Sequence, residues 1–328
     1  MLAILKRNKW SYLAMVAFLF LLILLPSQWF LGQKTFLLTL IGINTMVTVG
    51  LCLLMGYTGQ VSLGQAAFFG IGAYFSAILS TRYDVNPWLA MLIAAMVTGA
   101  FAYVIGYPIF RLRGNYLAMA TLGLGIIVWI LFKELSQYTG GPDGLGGIPN
   151  LSIGGFAFDS NLKRYFLVWF FCVCVLLISQ NIVRSRTGRA LRAIHSSEAA
   201  AESVGINIAQ FKVKIFVLSA VFASLAGSLY AHHTHAISPS SFDFLGSVMI
   251  LVMAVVGGLA SIWGAIFGAA TIQYLKSEIL VQLGNNDVIV YGLLLMLVMI
   301  FMPKGLFVSL RDVYNGWRQR RAQRGVLP

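Results

Sequence analysis

Long apolar runs separated by short polar or glycine-rich stretches dominate the chain. A helix needs about 20 apolar residues to cross a hydrocarbon core about 30 Å thick, and shorter runs are tolerated. Eight runs meet this requirement: Trp10–Leu31, Thr35–Met55, Val61–Ser80, Trp88–Phe110, Asn115–Leu135, Tyr165–Gln180, Phe211–Ala231 and Val288–Met302. We expect the first run to be retained as a helix, because no small-residue cleavage site follows Leu25.

A ninth run, Leu245–Leu275, is too long for one straight span. Gly257 and Gly258 near its middle predict a tight helical hairpin, which brings the total to about ten segments. Segments inside such a bundle can be broken where other helices surround them. The pattern therefore predicts an all-α, polytopic membrane protein with about ten transmembrane or partly re-entrant helices, forming one transmembrane domain over residues 1–328.

Composition excludes a soluble globular domain and a disordered chain. Hydrophobic residues make up 59% of the 328 residues and charged residues only 10%, against about 25% charged in an ordinary soluble domain. The three cysteines, Cys52, Cys172 and Cys174, lie inside apolar runs. They imply neither a disulfide framework nor a metal clip.

The net charge of +13 is explained by membrane topology. If the N-terminus is cytoplasmic and ten segments alternate, the C-terminus is cytoplasmic too, and 17 of the 23 Lys and Arg residues fall on the inner side. The outer side then carries six: Lys34, Arg82, Lys133, Lys163, Arg164 and Lys276. This asymmetry follows the positive-inside rule for a multi-pass membrane protein. The charge therefore gives no reason to expect a nucleic-acid partner.

Ionisable residues are absent from the middle of every predicted span, since each Asp, Glu, Lys and Arg maps to a loop or a segment end. A carrier driven by protons or sodium usually keeps such a residue deep in its helices. The chain also has no Gly-Lys pair and hence no phosphate-binding loop of the G-x-x-x-x-G-K-[ST] type. If ATP drives this protein, another chain must hydrolyse it. We therefore expect no enzymatic activity and no cofactor in this chain.

The densest polar motif between apolar runs is GYTGQVSLGQAAFFGIGAY, from Gly56 to Tyr74. It allows two interpretations, a packing face of small residues with polar contacts, or a broken helix that lines a substrate path. The candidate path residues are Gly59, Gln60, Ser62, Gly64 and Gln65 here, together with Gly257 and Gly258 of the second glycine-rich stretch, GGLASIWGAIFGA. Three-residue spacing places Ser62 and Gln65 on one helical face.

The basic-side loop Ser185–Asn207 is predicted to form two short helices. Thr187 is the candidate N-cap of the first, Ser197 caps the second, and Gly205 follows its end. The loop is either a solvated amphipathic surface or a docking helix whose face Ala199–Ala201 enters a cleft on a partner.

Two outer segments also carry candidate chemistry. His232, His233 and His235 with nearby Asp243 suggest a zinc site, but their spacing matches none of the usual closed zinc patterns. We therefore interpret them as polar interfacial residues and expect no metal. The outer loop, residues 136–163, is rich in glycine and is either a plain linker or a surface where a delivered substrate arrives.

Three separated motifs resemble one family in the same order. GYTGQVSLGQAAFFGIGAY, TGGPDGLGGIP and AAAESVGIN are similar to segments of the LivM-type membrane subunits of branched-chain amino-acid ABC importers, and the similarity runs over almost the whole chain. The loop at about 184–210 and the following FKVKIFVLSAVFASLAGSLYA also resemble the region that couples such permeases to their ATPases. In the wider pattern a Glu stands where this chain has Ala199, with Glu198 one step earlier, and the usual Leu-Pro is missing.

The resemblance implies a permease subunit of an ATP-driven importer that moves leucine, isoleucine and valine inward by alternating access. Its implied partners are a second, LivH-like permease, two cytoplasmic ATPase subunits that use ATP and Mg, and a periplasmic substrate-binding protein. The implied coupling residues are Glu198, Ala199, Ala200, Ala201, Glu202 and Gly205. Three alternatives stay open: the same machine for urea, short amides or another small amino acid, an ATP-independent carrier or channel, and an intramembrane metalloenzyme.

Overall fold

The computed structural model describes residues 34–279 except 111, 113, 154 and 155, together with residues 292, 293, 296 and 300. Its long helices are α1 (Thr35–Thr58), α2 (Gln65–Arg82), α3 (Pro87–Ile109), α4 (Asn115–Glu134), α6 (Asn161–Arg184) and α9 (Ile208–Thr234). The shorter helices are α5 (Ser136–Thr139), α7 (Arg186–Ser196), α8 (Glu198–Ser203), α10 (Phe244–Gly257) and α11 (Ile262–Tyr274), which a π-helical segment, Leu275–Ile279, follows.

Most predicted spans that fall on the described residues are confirmed as helices. Five of these helices, α1, α3, α4, α6 and α9, are long and apolar enough to cross a membrane. The hairpin is also confirmed, because α10 ends at Gly257 and Gly258 adopts a positive φ of 104° before α11 begins. The predicted spans Trp10–Leu31 and Val288–Met302 lie outside the described residues, apart from isolated positions of the second.

One expectation needs correction. The span predicted to start at Val61 starts at Gln65, because Gly59 ends α1 in the left-handed conformation and residues 59–64 are not helical. The predicted all-α class is confirmed for the described residues, and short two-residue strands occur in the predicted outer loop and after α9. β1 (Leu145–Gly146) pairs with β4 (Ala236–Ile237), and β2 (Ser152–Ile153) pairs with β3 (Phe156–Ala157), both antiparallel.

Helix α9 is the centre of the bundle and packs against α1, α2 and α3. Small residues allow its backbone to lie directly on α2. A Cβ atom on Gly227 would lie 1.9 Å from the Phe69 carbonyl oxygen, and one on Gly72 would lie 2.2 Å from the Ser224 carbonyl oxygen. Membrane helices use such contacts because lipid supplies no hydrophobic drive for helices to associate, so that close packing has to supply the stabilisation.

Contacts at the two ends of the bundle show how the described helices alternate. At one end Lys34 lies over the ring of Tyr274, and Arg82 lies over that of Tyr138. At the other end Gly59 lies beside His195. Phe36 in the first turn of α1 stacks on His233 in the last turn of α9, so these two helices run in opposite directions, as the alternating model requires. Which end faces the cytoplasm remains a prediction.

Candidate functional site

The interruption between α1 and α2, residues 59–64, is partly buried: Gln60, Ser62 and Gly64 are buried, whereas Gly59 and Val61 are exposed. Three of its backbone N–H groups have partners. The N–H groups of Gly59 and Gln60 donate to the Met55 and Leu54 carbonyls at 3.1 and 3.3 Å. Beyond them, the Leu63 N–H donates to Thr121 Oγ1 of α4 at 3.1 Å. A break at membrane depth is stable only when neighbouring groups satisfy its backbone in this way.

The hydroxyl of Ser247 on α10 extends this arrangement to the first turn of α2. It accepts a hydrogen bond from the Ala66 N–H at 3.1 Å. Neither Thr121 nor Ser247 stands out in the sequence, because each is a single hydroxyl inside an apolar helix far along the chain from its partner. Only packing reveals that they hold the break.

The three polar side chains predicted for the substrate path are all buried at this break. Gln60 donates to the Thr58 carbonyl at 3.1 Å, and Gln65 Nε2 donates to Ser219 Oγ of α9 at 2.9 Å. Among the described residues, Ser62 Oγ and Gln65 Oε1 have no hydrogen-bond partner. Leaving such an atom unpaired costs about 1–3 kcal/mol. These two oxygen atoms are therefore available to form a hydrogen bond with a ligand.

The helical face predicted for Ser62 and Gln65 is wrong. Helix α2 begins at Gln65 after the N-cap Gly64, so Ser62 belongs to the non-helical segment. The two side chains are both buried, but periodicity does not relate them. Gly64 itself packs closely, because a Cβ there would lie 2.5 Å from the Thr121 carbonyl oxygen.

The second glycine-rich stretch meets the same end of α1. The Tyr57 hydroxyl donates to the Ala260 carbonyl at 2.9 Å, and a Cβ on Gly56 would lie 1.8 Å from the Leu259 carbonyl oxygen. The structure therefore brings the two glycine-rich stretches together at Gly56 and Leu259. Gly257 itself packs on Gly264 of α11, within the hairpin.

The basic-side loop forms the two predicted helices, α7 and α8, with one cap corrected. Ser185 caps α7 by accepting from the Thr187 N–H at 3.1 Å, so Thr187 is not the cap. Ser197 caps α8 by accepting from the Ala200 N–H at 3.3 Å. Gly205 follows α8 with a φ of 82° and donates its N–H to the Glu202 carbonyl. The chain thus specifies the ends of α8 on both sides.

Burial divides the predicted alanine face of α8. Ala199 and Ala200 are exposed, whereas Ala201 is buried against the rest of the chain. The prediction that Ala199–Ala201 form one exposed face is therefore wrong for Ala201, because three consecutive helical residues point in different directions. Val204, which is 74% exposed, extends the open surface instead.

An ion pair fastens α8 to the central helix. Lys212 Nζ of α9 lies 2.8 Å from Glu198 Oε1 at the start of α8. Lys212 is only 3% exposed, while the Glu198 side chain keeps 39% exposure. The partners are 14 residues apart on different helices, which is why sequence patterns did not identify Lys212. A surface cleft of about 570 Å³ lies beside the pair.

Two of the three histidines hold the outer loop in place. His232 Nδ1 donates to the Pro149 carbonyl at 2.7 Å, and His235 Nδ1 donates to the Ile148 carbonyl at 2.9 Å. The other ring nitrogens accept from the Ser76 hydroxyl and from an Arg164 N–H. Within the part of the chain that the structure describes, no three His, Cys, Asp or Glu residues are placed to hold a metal.

Long apolar helices around a buried irregular segment define a multi-pass helical membrane protein. Residues 33–302 match the family model described as branched-chain amino acid transport system / permease component, and the chain belongs to this family. It is 31% identical to the high-affinity branched-chain amino acid transport system permease proteins LivM of Salmonella typhimurium and Escherichia coli, over 83% of this chain and 69% of each relative.

A further relative is the high-affinity branched-chain amino acid transport system permease protein BraD of Pseudomonas aeruginosa. It is 27% identical over 80% of this chain and 90% of its own length. No solved structure matches the chain. The family is one of transport permease components and not of catalytic enzymes.

The ion pair at α8 makes an asymmetric prediction for stability. In Glu198→Ala a nearly buried ammonium loses its partner, and we expect a loss of about 1–3 kcal/mol. In Lys212→Met the remaining carboxylate reaches water, so the loss is smaller. Thermal unfolding of the purified protein in detergent measures both changes.

A matched control breaks the exposed pair Asp159–Lys163 at the other end of the bundle. Lys163→Met should change stability little, since exposed pairs contribute about 0–1 kcal/mol. Equal midpoints for Glu198→Ala and Lys163→Met would contradict a stabilising role for the pair with Lys212.

Proposed function

We propose that this chain is the membrane permease subunit of an ATP-driven importer that moves leucine, isoleucine and valine inward across the bacterial inner membrane. The observation that carries this proposal is the family match over residues 33–302, together with 31% identity to LivM permeases. The names of the relatives state branched-chain amino acids as their cargo. Alternating access of the helices around the break is the proposed mechanism.

The proposed complex contains a second, LivH-like permease, two cytoplasmic ATPase subunits that use ATP and Mg, and a periplasmic substrate-binding protein. LivH permeases are themselves relatives of this chain, at 25% identity. The sequence has no phosphate-binding loop, which supports hydrolysis by separate subunits. In this arrangement the end of the bundle with α7 and α8 is cytoplasmic, and the strand-bearing loop held by His232 and His235 faces the binding protein.

Helix α8 is the proposed contact with an ATPase subunit, through Glu198, Ala199, Ala200, Ala201, Glu202 and Gly205. Its exposed surface includes Ala199 and Ala200, which suit close packing in a cleft. Its buried side is tied to α9 by Glu198 and Lys212. The neighbouring helix α7 reaches the break directly, because a Cβ on Gly59 would lie 2.9 Å from His195 Nδ1.

Helix α9 then connects the ATPase contact with the proposed substrate path. Lys212 lies near its first turn, and Ser219, two turns further on, accepts the hydrogen bond from Gln65. A displacement of α8 is therefore passed to the break through one helix. The path residues in this proposal are Gly59, Gln60, Ser62, Gly64 and Gln65, with Gly257 and Gly258 in the adjoining hairpin.

Reconstitution tests the proposed cargo and energy source. Vesicles containing both permeases and both ATPases should accumulate radiolabelled leucine when binding protein and MgATP are supplied, and unlabelled isoleucine and valine should compete. Preferential uptake of urea or short amides would show that the proposed cargo is wrong. Leucine uptake by this chain without the ATPases would contradict the proposal that ATP hydrolysis drives import.

The contact at α8 is tested by one exposed position. Ala200→Arg places a bulky charge where close packing is proposed, and we expect leucine uptake to fall at least about tenfold while membrane insertion is unchanged. Ala200→Ser is the matched control, because its side chain stays small. Normal uptake and normal ATPase co-purification by the Arg variant would contradict docking at this position.

The path is tested at the two buried polar atoms without partners. Ser62→Leu and Gln65→Leu should each depress leucine uptake at least about tenfold, because an uncharged path needs these groups to meet the ammonium and carboxylate of its cargo. Thr45→Val is the control, since the Thr45 hydroxyl bonds only within its own helix, to the Ile41 carbonyl. If both Leu variants matched the wild type at equal abundance, the break would be a packing feature.

A further inference from the structure

A second polar feature lies apart from the break, in a cavity of about 150 Å³ among α1, α2, α10 and α11. Its lining includes Asn44, Gln273 and Lys276 together with Phe69, Ile250 and Met253. The wall of the cavity therefore combines amides and an ammonium with aliphatic, aromatic and thioether groups. A cavity left by imperfect packing is normally apolar throughout.

Two amide side chains of the lining form one hydrogen bond with each other and keep further donor and acceptor groups available. Asn44 Nδ2 donates to Gln273 Oε1 at 2.9 Å. A single bond between two carboxamides leaves one carbonyl oxygen and one NH₂ group, and neither has a further hydrogen-bond partner among the described residues. Gln273 is 8% exposed, so water reaches it poorly from outside. Polar groups in such a position in a membrane bundle mark pathways for polar ligands.

The charge at the cavity is positive. Lys276 contributes an ammonium from the π-helical segment that follows α11, and no acidic residue is among the described residues that line the cavity. Short π-helical segments occur frequently at functional sites. The combination fits a ligand with a carboxylate beside a hydrogen-bond donor and an apolar tail.

We propose that this cavity binds a free aliphatic amino acid. The ligand carboxylate pairs with Lys276 and the free amide NH₂, its ammonium donates to the free amide carbonyl, and its branched side chain lies against Phe69, Ile250 and Met253. A cavity of about 150 Å³ accommodates benzene and therefore the smaller isobutyl group. The ammonium and carboxylate of the ligand lie at the open edge of the cavity, where Lys276 is exposed. This inference rests on the proposed function and adds a binding station for the cargo within this subunit.

The position of the cavity also connects it with the break. Ala66, the second residue of α2, lines the cavity, and its N–H bonds to Ser247. The preceding residue, Gln65, carries one of the two unpartnered polar atoms of the break. A ligand released from the cavity toward α2 therefore meets the break next.

Cysteine labelling in the assembled complex tests occupancy directly. Ser241 lines the cavity and is exposed, so Ser241→Cys should react with a small thiol reagent. Leucine should slow this reaction several-fold, whereas 4-methylpentanoate and isoamylamine, which lack the ammonium and the carboxylate respectively, should slow it much less. Equal rates with and without leucine, or equal protection by all three compounds, would overturn the proposal.

Filling the cavity provides the functional test. Ile250→Trp should lower leucine uptake about tenfold, whereas Ile127→Trp, at an exposed position of α4, should not. Normal uptake by Ile250→Trp would overturn the inference and leave the proposed function intact if the wild type imports leucine. If the wild type imports no branched-chain amino acid, the proposed function is wrong. In that case protection of Ser241→Cys by leucine alone tests whether the cavity binds an amino acid.

Discussion

The architecture depends on one constraint, that every backbone N–H and C=O group at membrane depth needs a hydrogen-bond partner. Regular helices meet this demand by themselves, but residues 59–64 do not. Three contacts stabilise the break: Thr121 accepts the Leu63 N–H, Ser247 accepts the Ala66 N–H at the start of α2, and Gly59 ends α1 in the left-handed conformation. A chain with apolar residues at both hydroxyl positions would have to continue the helix or leave these groups unpaired.

Helix α9 organises what surrounds the break. Its backbone lies on α2 at Gly72 and Gly227, its hydroxyl at Ser219 meets Gln65, and its first turns hold α8 through Lys212. Its last turn, with His232, positions the outer loop. Because these contacts belong to one continuous helix, α8, the break and the outer loop are all connected by a single rigid element.

Histidines at the C-terminal end of α9 show how one residue type has different roles in different surroundings. Grouped in sequence with Asp243, they suggest a metal site, but the fold directs His232 and His235 toward different carbonyls and stacks His233 on the ring of Phe36. Their hydrogen bonds add to the short helix and strands of the glycine-rich loop. The loop is thereby attached to the end of α9 at Ile148 and Pro149.

The sequence by itself determined the helical spans from Thr35 to Tyr274, the hairpin at Gly257 and Gly258, the Ser197 cap of α8 and the family, because hydropathy and capping depend on residues close together in the chain. It did not determine where α2 begins, that Ala201 is buried, or which residues meet at the break. Those depend on pairs such as Leu63 with Thr121 and Asn44 with Gln273, 58 and 229 residues apart. Only the packed helices bring such pairs together, since a hydroxyl or amide in an apolar run carries no local sign of its partner.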